Sequence, residues 1–134
     1  MKKNYSSWLR VTFLSNILIG AVLGINSILP DDLRLEYTPF DPWYGAVLLT
    51  FSIGSFLAFR YNSWYDVNSF VKMSILFYGL SSLATIWFSL YRYLDGILAF
   101  YGIYHFAFFA GFAISFYIEN YAIEIHKKAD LDNI

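Results

Sequence analysis

His105 is the residue of this chain whose chemistry first asks for an explanation. It stands in the charge-free run Gly96–Ile118, and on a helical wheel Tyr101, Phe108, Phe109, Phe112 and Phe116 cluster around it. The run exceeds the roughly 20 apolar residues that carry a helix across a hydrocarbon core. An ionisable group at that depth is a candidate functional residue by default. A neutral imidazole has one donor and one acceptor to satisfy, so a polar partner is expected at the same level. Three roles fit: a structural hydrogen bond to a neighbouring helix, the polar anchor of an aromatic pocket for a lipid-like ligand, and proton transfer or metal binding. The structural bond is the leading one.

The expected partner lies on the preceding run. Ser74, Tyr78, Ser81, Ser82, Thr85 and Ser89 fall within about 100° of one another on a helix over 73–91, a stripe that should face protein or water. Residues 92–95 leave room only for a tight hairpin, which makes the last two helices antiparallel neighbours. Counting inward from the hairpin places His105 about 13 Å deep, level with Ser82. Ser82 is therefore the first expected partner, with Ser81 and Thr85 as alternates. A ligand pocket, if the chain has one, would be built from His105, Tyr101, Phe108, Phe109 and Phe112 on one side and Tyr78, Ser81, Ser82 and Thr85 on the other.

Other chemistry is disfavoured. None of the four apolar runs contains Asp or Glu, which weakens proton-coupled antiport through an intramembrane carboxylate. His105 and His126 would stand about 31 Å apart on one helix and cannot share a metal within one chain. The absence of cysteine excludes disulfides, thiolate metal sites and CxxC redox chemistry. No nucleophile–base pair is recognisable. The sequence thus predicts no catalytic residue, no cofactor and no metal site.

The elements that must position these residues follow from composition. With 134 residues, 58% hydrophobic, 22% aromatic and only 14% charged, the chain has too little polar surface for a soluble domain. The sequence predicts an all-α, polytopic four-helix bundle forming a single membrane domain over 1–134. Its spans are expected at 11–29, 43–59, 73–91 and 96–118, with an outer loop at 30–42 and an inner loop at 60–72 that suits a loop or a short helix at the headgroups. A cytoplasmic tail is expected at 119–134, the last helix continuing into it through Lys128. Val11–Leu29 is too long for a typical signal-peptide core and is read as a retained helix. Lys2, Lys3, Arg10, Arg60, Lys72, Lys127 and Lys128 fall on one side and Arg34 and Arg92 on the other, so the positive-inside rule predicts an N-in/C-in orientation, and the cell membrane is the expected location. The bilayer is the expected partner. A net charge of -1 and the lack of a basic tract argue against nucleic acid.

Small residues mark where helices should touch. Asn16, Gly20, Gly24 and Ser27 form one stripe on the first helix, and Gly20–Gly24 is a GxxxG pair. Gly54 and Ala58, spaced by four from Thr50, suggest a stripe on the second. Ala107 and Gly111 suggest another on the fourth. These seams would serve packing within the chain or, in a second reading, association of the chain with itself. Asp41 and Pro42 suit the start of the second helix, with Trp43 and Tyr44 in an interfacial aromatic belt. The acid-rich loop PDDLRLEYTPFD is expected to be solvated.

A first helix ending in Pro30-Asp31, the connection Pro39-Phe40-Asp41-Pro42-Trp43-Tyr44-Gly45, a second helix ending at Arg60 and an aromatic re-entry at Trp64 resemble the small four-helix DoxX-like membrane proteins over residues 11–118. The resemblance implies a fold and carries over no active-site residue. The leading functional expectation is a noncatalytic structural or accessory protein working through helix–helix contacts, in a homo-oligomer or a larger membrane complex. The alternative is a binder or carrier of a small hydrophobic molecule around His105; a subunit of a membrane oxidoreductase ranks third.

Overall fold

A chain this apolar can satisfy its backbone groups away from water only as helices or as a closed barrel, and its apolar runs have the length of spanning helices. The computed structural model describes residues 5–30, 33, 42–91 and 96–131, and these contain four helices. Helix α1, Ser7–Ile28, starts at Ser6, whose Oγ accepts from the Leu9 amide at 3.3 Å; it ends as the Leu29 amide donates to Ile25 O at 3.2 Å, just before Pro30. Helix α2, Pro42–Arg60, opens with the proline that a first turn tolerates. Helices α3, Trp64–Tyr91, and α4, Gly96–Leu131, follow. At 1.5 Å per residue α4 is about 54 Å long and outreaches a hydrocarbon core. Each of the four is long and apolar enough to cross a membrane. The expectations for Asp41, most of the 30–42 loop and the 92–95 hairpin lie outside the described residues.

The expected inner loop at 60–72 is corrected. Helix α3 already begins at Trp64, where the Asp66 amide donates to Ser63 O at 3.2 Å, so Asp66, Asn68 and Ser69 lie within the helix. Trp64, Val67, Val71, Ser74 and Tyr78 are buried at alternating spacings of three and four, while Tyr65, Asp66, Ser69 and Lys72 point outward. The mixture of polar and aromatic residues is thus an amphipathic helix start whose apolar stripe is continuous with the span.

Helix α1 packs most closely on α2, and α3 on α4, giving two antiparallel hairpins. In the first, glycines bring the backbones together: a Cβ on Gly45 would stand 2.7 Å from Gly24 O and 2.8 Å from Ser27 Cβ. A Cβ on Gly24 would meet Leu49 Cγ at 2.8 Å. The Gly20–Gly24 pair faces α2, and both glycines are buried inside this chain. Between the hairpins aromatic rings fill the space. Phe51 stacks on Phe77 with centroids 4.2 Å apart, Tyr78 stacks on Phe112 at 5.9 Å, and Phe13 meets Phe112 at 5.8 Å.

The solvent logic of a soluble protein is inverted. Leu18, Val22, Leu76, Leu80, Leu83, Leu90 and Ile103 lie outside, each more than 60% exposed, whereas Asn16, Ser27, Ser55, Ser74 and His105 are almost wholly buried. Hydrocarbon is the medium that accommodates such a surface. Among the expected packing residues, Ala58 is buried, Gly54 lies against the Phe70 ring, and Gly111 faces Thr12. Ala107 is corrected: it is exposed, because α4 turns its Tyr101–Tyr104–His105–Phe108–Phe112 face to the core and Ala107 lies away from it.

Candidate functional site

The polar residues of the interior form a connected array between the two hairpins. Asn16 of α1 donates through Nδ2 to Ser55 Oγ at 2.8 Å and to Phe51 O at 3.4 Å, both on α2. Its Oδ1 accepts from the Tyr78 hydroxyl of α3. Ser52 of α2 donates to Asn16 O at 3.2 Å and to its own Leu48 O at 3.0 Å. Gly20 makes room for this convergence: Ser52 Oγ, Asn16 Oδ1 and Tyr104 Oη all lie within 3.3 Å of where its Cβ would be. The Tyr104 hydroxyl is buried there without a well-formed hydrogen bond.

His105 is 1% exposed, and its partner is Tyr44 of α2. With the Tyr44 hydroxyl donating, Nε2 is the bare nitrogen and the proton sits on Nδ1. Nδ1 points along its own helix towards the Tyr101 backbone, one turn earlier, without reaching good hydrogen-bond geometry. Rings of Tyr44, Phe77, Tyr78 and Tyr104 surround the imidazole at centroid separations of 5.1 to 6.4 Å. The Tyr101 hydroxyl engages Ser27 of α1.

The expected His105–Ser82 bond is corrected. Ser82 is buried, but on the α3–α4 flank, where it joins Ile75, Leu76, Gly79, Leu80, Leu83, Ile86, Phe106 and Phe109 around an open groove of about 330 Å³. Thr85 donates to Ser81 O at 2.7 Å, as helical hydroxyls often do, and the histidine's partner is Tyr44 in place of either alternate. Of the nine expected pocket residues, Tyr78, Tyr101, Phe108 and Phe112 come together with His105. Ser81, Ser82, Thr85 and Phe109 do not, because depth along a neighbouring helix does not determine which way a side chain faces.

Sequence reasoning missed Tyr44, Ser52, Ser55, Tyr104 and Glu119. A signal for the serines was available: Gly45, Leu48, Ser52 and Ser55 repeat at spacings of three and four and are the buried stripe of α2, whereas Thr50 is exposed and bonds Ala46 O. Glu119 is 2% exposed and accepts the Ser6 amide at 2.5 Å, so α4 supplies the carboxylate that the first turn of α1 lacks.

Comparison with known protein families, curated proteins and solved structures finds no match. The chemistry must be read from the array itself. Among the described residues no three of His, Cys, Asp and Glu gather as a metal site would require. The histidine has a phenol on one side and backbone on the other, and no serine or threonine hydroxyl among the described residues bonds to it. What the array does is join helices: its side-chain bonds link α1 to α2, α1 to α3 and α2 to α4.

Proposed function

We propose that this chain is a noncatalytic structural or accessory protein of the cell membrane, N-in/C-in, acting through its lipid-facing helix surfaces on itself or on a larger membrane complex. The observation that carries this reading is the direction of the polar groups. Asn16, Ser52, Ser55, Tyr78, Tyr44 and His105 turn their hydrogen bonds on one another, and large apolar side chains face outward. Such an interior favours one helix arrangement over others and leaves no carboxylate at mid-membrane for coupled transport. The charge asymmetry of the ends supports the orientation: Arg10, Arg60, Lys72 and Lys128 all lie towards the end where α1 begins and α2 stops.

Gentle extraction in native lipid followed by native mass spectrometry tests the proposal. A defined oligomer or hetero-complex is expected, with no non-lipid small molecule held in stoichiometric amount. A stoichiometric small molecule that disappears in His105→Ala would overturn it in favour of the hydrophobic-ligand binder.

A further inference from the structure

The flank of the bundle opposite the polar array carries a second feature. The groove between α3 and α4 runs from Ile75 to Ile86, a rise of about 16 Å, which matches roughly one leaflet of a 30 Å hydrocarbon core. Its lining is aliphatic and aromatic, with Ser82 its one hydroxyl. Gly79 contributes to its shape, since a Cβ there would press on the Phe109 ring at 3.1 Å.

The chemistry changes at one end. At about 100° per residue, Lys72 falls in the middle of the arc that Ile75, Leu76, Gly79, Leu83 and Ile86 occupy, one turn beyond the end of the groove. Its ammonium lies 5.8 Å from the centre of the Phe116 ring of α4, so the lysine leans across the mouth of the groove. No carboxylate among the described residues pairs with it. The exposed hydroxyl residues Ser69 and Tyr65 continue the same arc one and two turns further out.

We propose that the α3–α4 groove is a binding site for one anionic phospholipid, its acyl chain along Ile75–Ile86 and its phosphate on Lys72, with Ser69 as a further donor. The apolar length suits one acyl tail, and the cation stands one turn beyond the groove's end, on the side that a headgroup must occupy. A zwitterionic lipid fills the groove equally well but leaves the ammonium without net compensation. One lysine at such a surface favours the anionic lipid by about fivefold. The inference is independent of the accessory role, which needs no bound lipid.

Electron paramagnetic resonance of acyl-spin-labelled lipids tests it. The full chain is reconstituted in vesicles of four parts phosphatidylcholine to one part phosphatidylglycerol, and the motionally restricted fraction is read for each labelled lipid. The wild type is expected to favour phosphatidylglycerol by about fivefold. Lys72→Gln should remove most of that preference and Lys72→Arg should retain it. Leu83→Trp, which fills the groove from an exposed position, should release both lipids, and Arg60→Gln should change nothing. Retained preference in Lys72→Gln, or restricted lipid undiminished in Leu83→Trp, would overturn the proposal. Displacement of labelled phosphatidylglycerol by inorganic phosphate would also overturn it, by showing an anion site that needs no acyl chain.

Discussion

Replacing Gly45 by alanine tests whether the α1–α2 seam lies within the chain. The new methyl would stand 2.7 Å from Gly24 O, a backbone atom that cannot rotate away, and 2.8 Å from Ser27 Cβ. The helices must part by roughly half an ångström, enough to forfeit a quarter or more of the dispersion energy along the seam. Overpacking of this kind costs about 1–3 kcal/mol, while the helix preference of alanine over glycine returns at most about 1 kcal/mol. Both contacts are fixed to backbone, so the upper part of that range applies and a net loss of about 1–2 kcal/mol is expected. Gly102 is the internal control: its Cβ would meet Thr85 Cγ2 at an ordinary 3.6 Å, so Gly102→Ala should be neutral or stabilising by up to about 1 kcal/mol. The same chemical change thus has opposite signs at two positions. Equilibrium unfolding in mixed micelles at several protein concentrations reads both. The Gly45→Ala loss should not vary with concentration, because no second chain takes part. A neutral Gly45→Ala, an equally damaging Gly102→Ala, or a loss that grows on dilution would refute the reasoning.

Three further predictions follow from the buried polar groups. In a double-mutant cycle of Asn16→Leu and Tyr78→Phe, a coupling of about 0.6–1.7 kcal/mol is expected by the same unfolding assay, and zero coupling would show that the bond contributes nothing. Glu119→Leu should cost about 1–2 kcal/mol through loss of the Ser6 contact, whereas Glu119→Gln keeps an acceptor and should cost less; equal losses would leave the carboxylate's role to packing. Tyr5, just outside the first span, donates its hydroxyl to Ala58 O at 3.3 Å and Phe59 O at 3.1 Å. Burial raises its pKa above the model-compound 10.0, while the Arg10 guanidinium opposes the rise. The folded state therefore favours the neutral phenol: this contribution is fully present below pH 10 and is lost as pH rises through the folded value. Tyr5→Phe should flatten the decline in stability above pH 10, and an unchanged alkaline profile would exclude this tyrosine as its source.

The spans and their small-residue seams were legible because lipid imposes two blunt rules, apolar length and close approach. Gly20, Gly24 and Asn16 could be read as one stripe from spacing alone. The start of α3 was not legible by average composition, because Asn62–Lys72 mixes polar and aromatic residues; its stripe of Trp64, Val67 and Val71 appears only when the period is followed back from Ser74. The partner of His105 is not legible for a geometric reason. Depth along the adjacent helix α3 points to Ser82, whereas the bond reaches α2, and no local pattern in the sequence encodes which helix lies across the axis.

That geometry explains two of the core tyrosines, Tyr78 and Tyr44. Helices α1 and α3, and likewise α2 and α4, have no extensive backbone contact, so they stand on the diagonals of the bundle. Serine and asparagine can serve neighbours, as Asn16 and Ser55 do at 2.8 Å, but they are too short to bridge a diagonal alone. A tyrosine carries its hydroxyl at the end of a rigid ring and reaches across. Tyr78 does so from α3 to Asn16 on α1, and Tyr44 from α2 to His105 on α4. Each ring also packs against aromatic neighbours, which lessens the cost of holding a polar tip away from water. The glycine seam holds the first hairpin together, and rings cover the gap between hairpins without dictating which helix faces which. The two diagonal bonds supply that choice, because a different order of helices would leave the Asn16 side-chain oxygen, a histidine and two phenols unpaired in the interior.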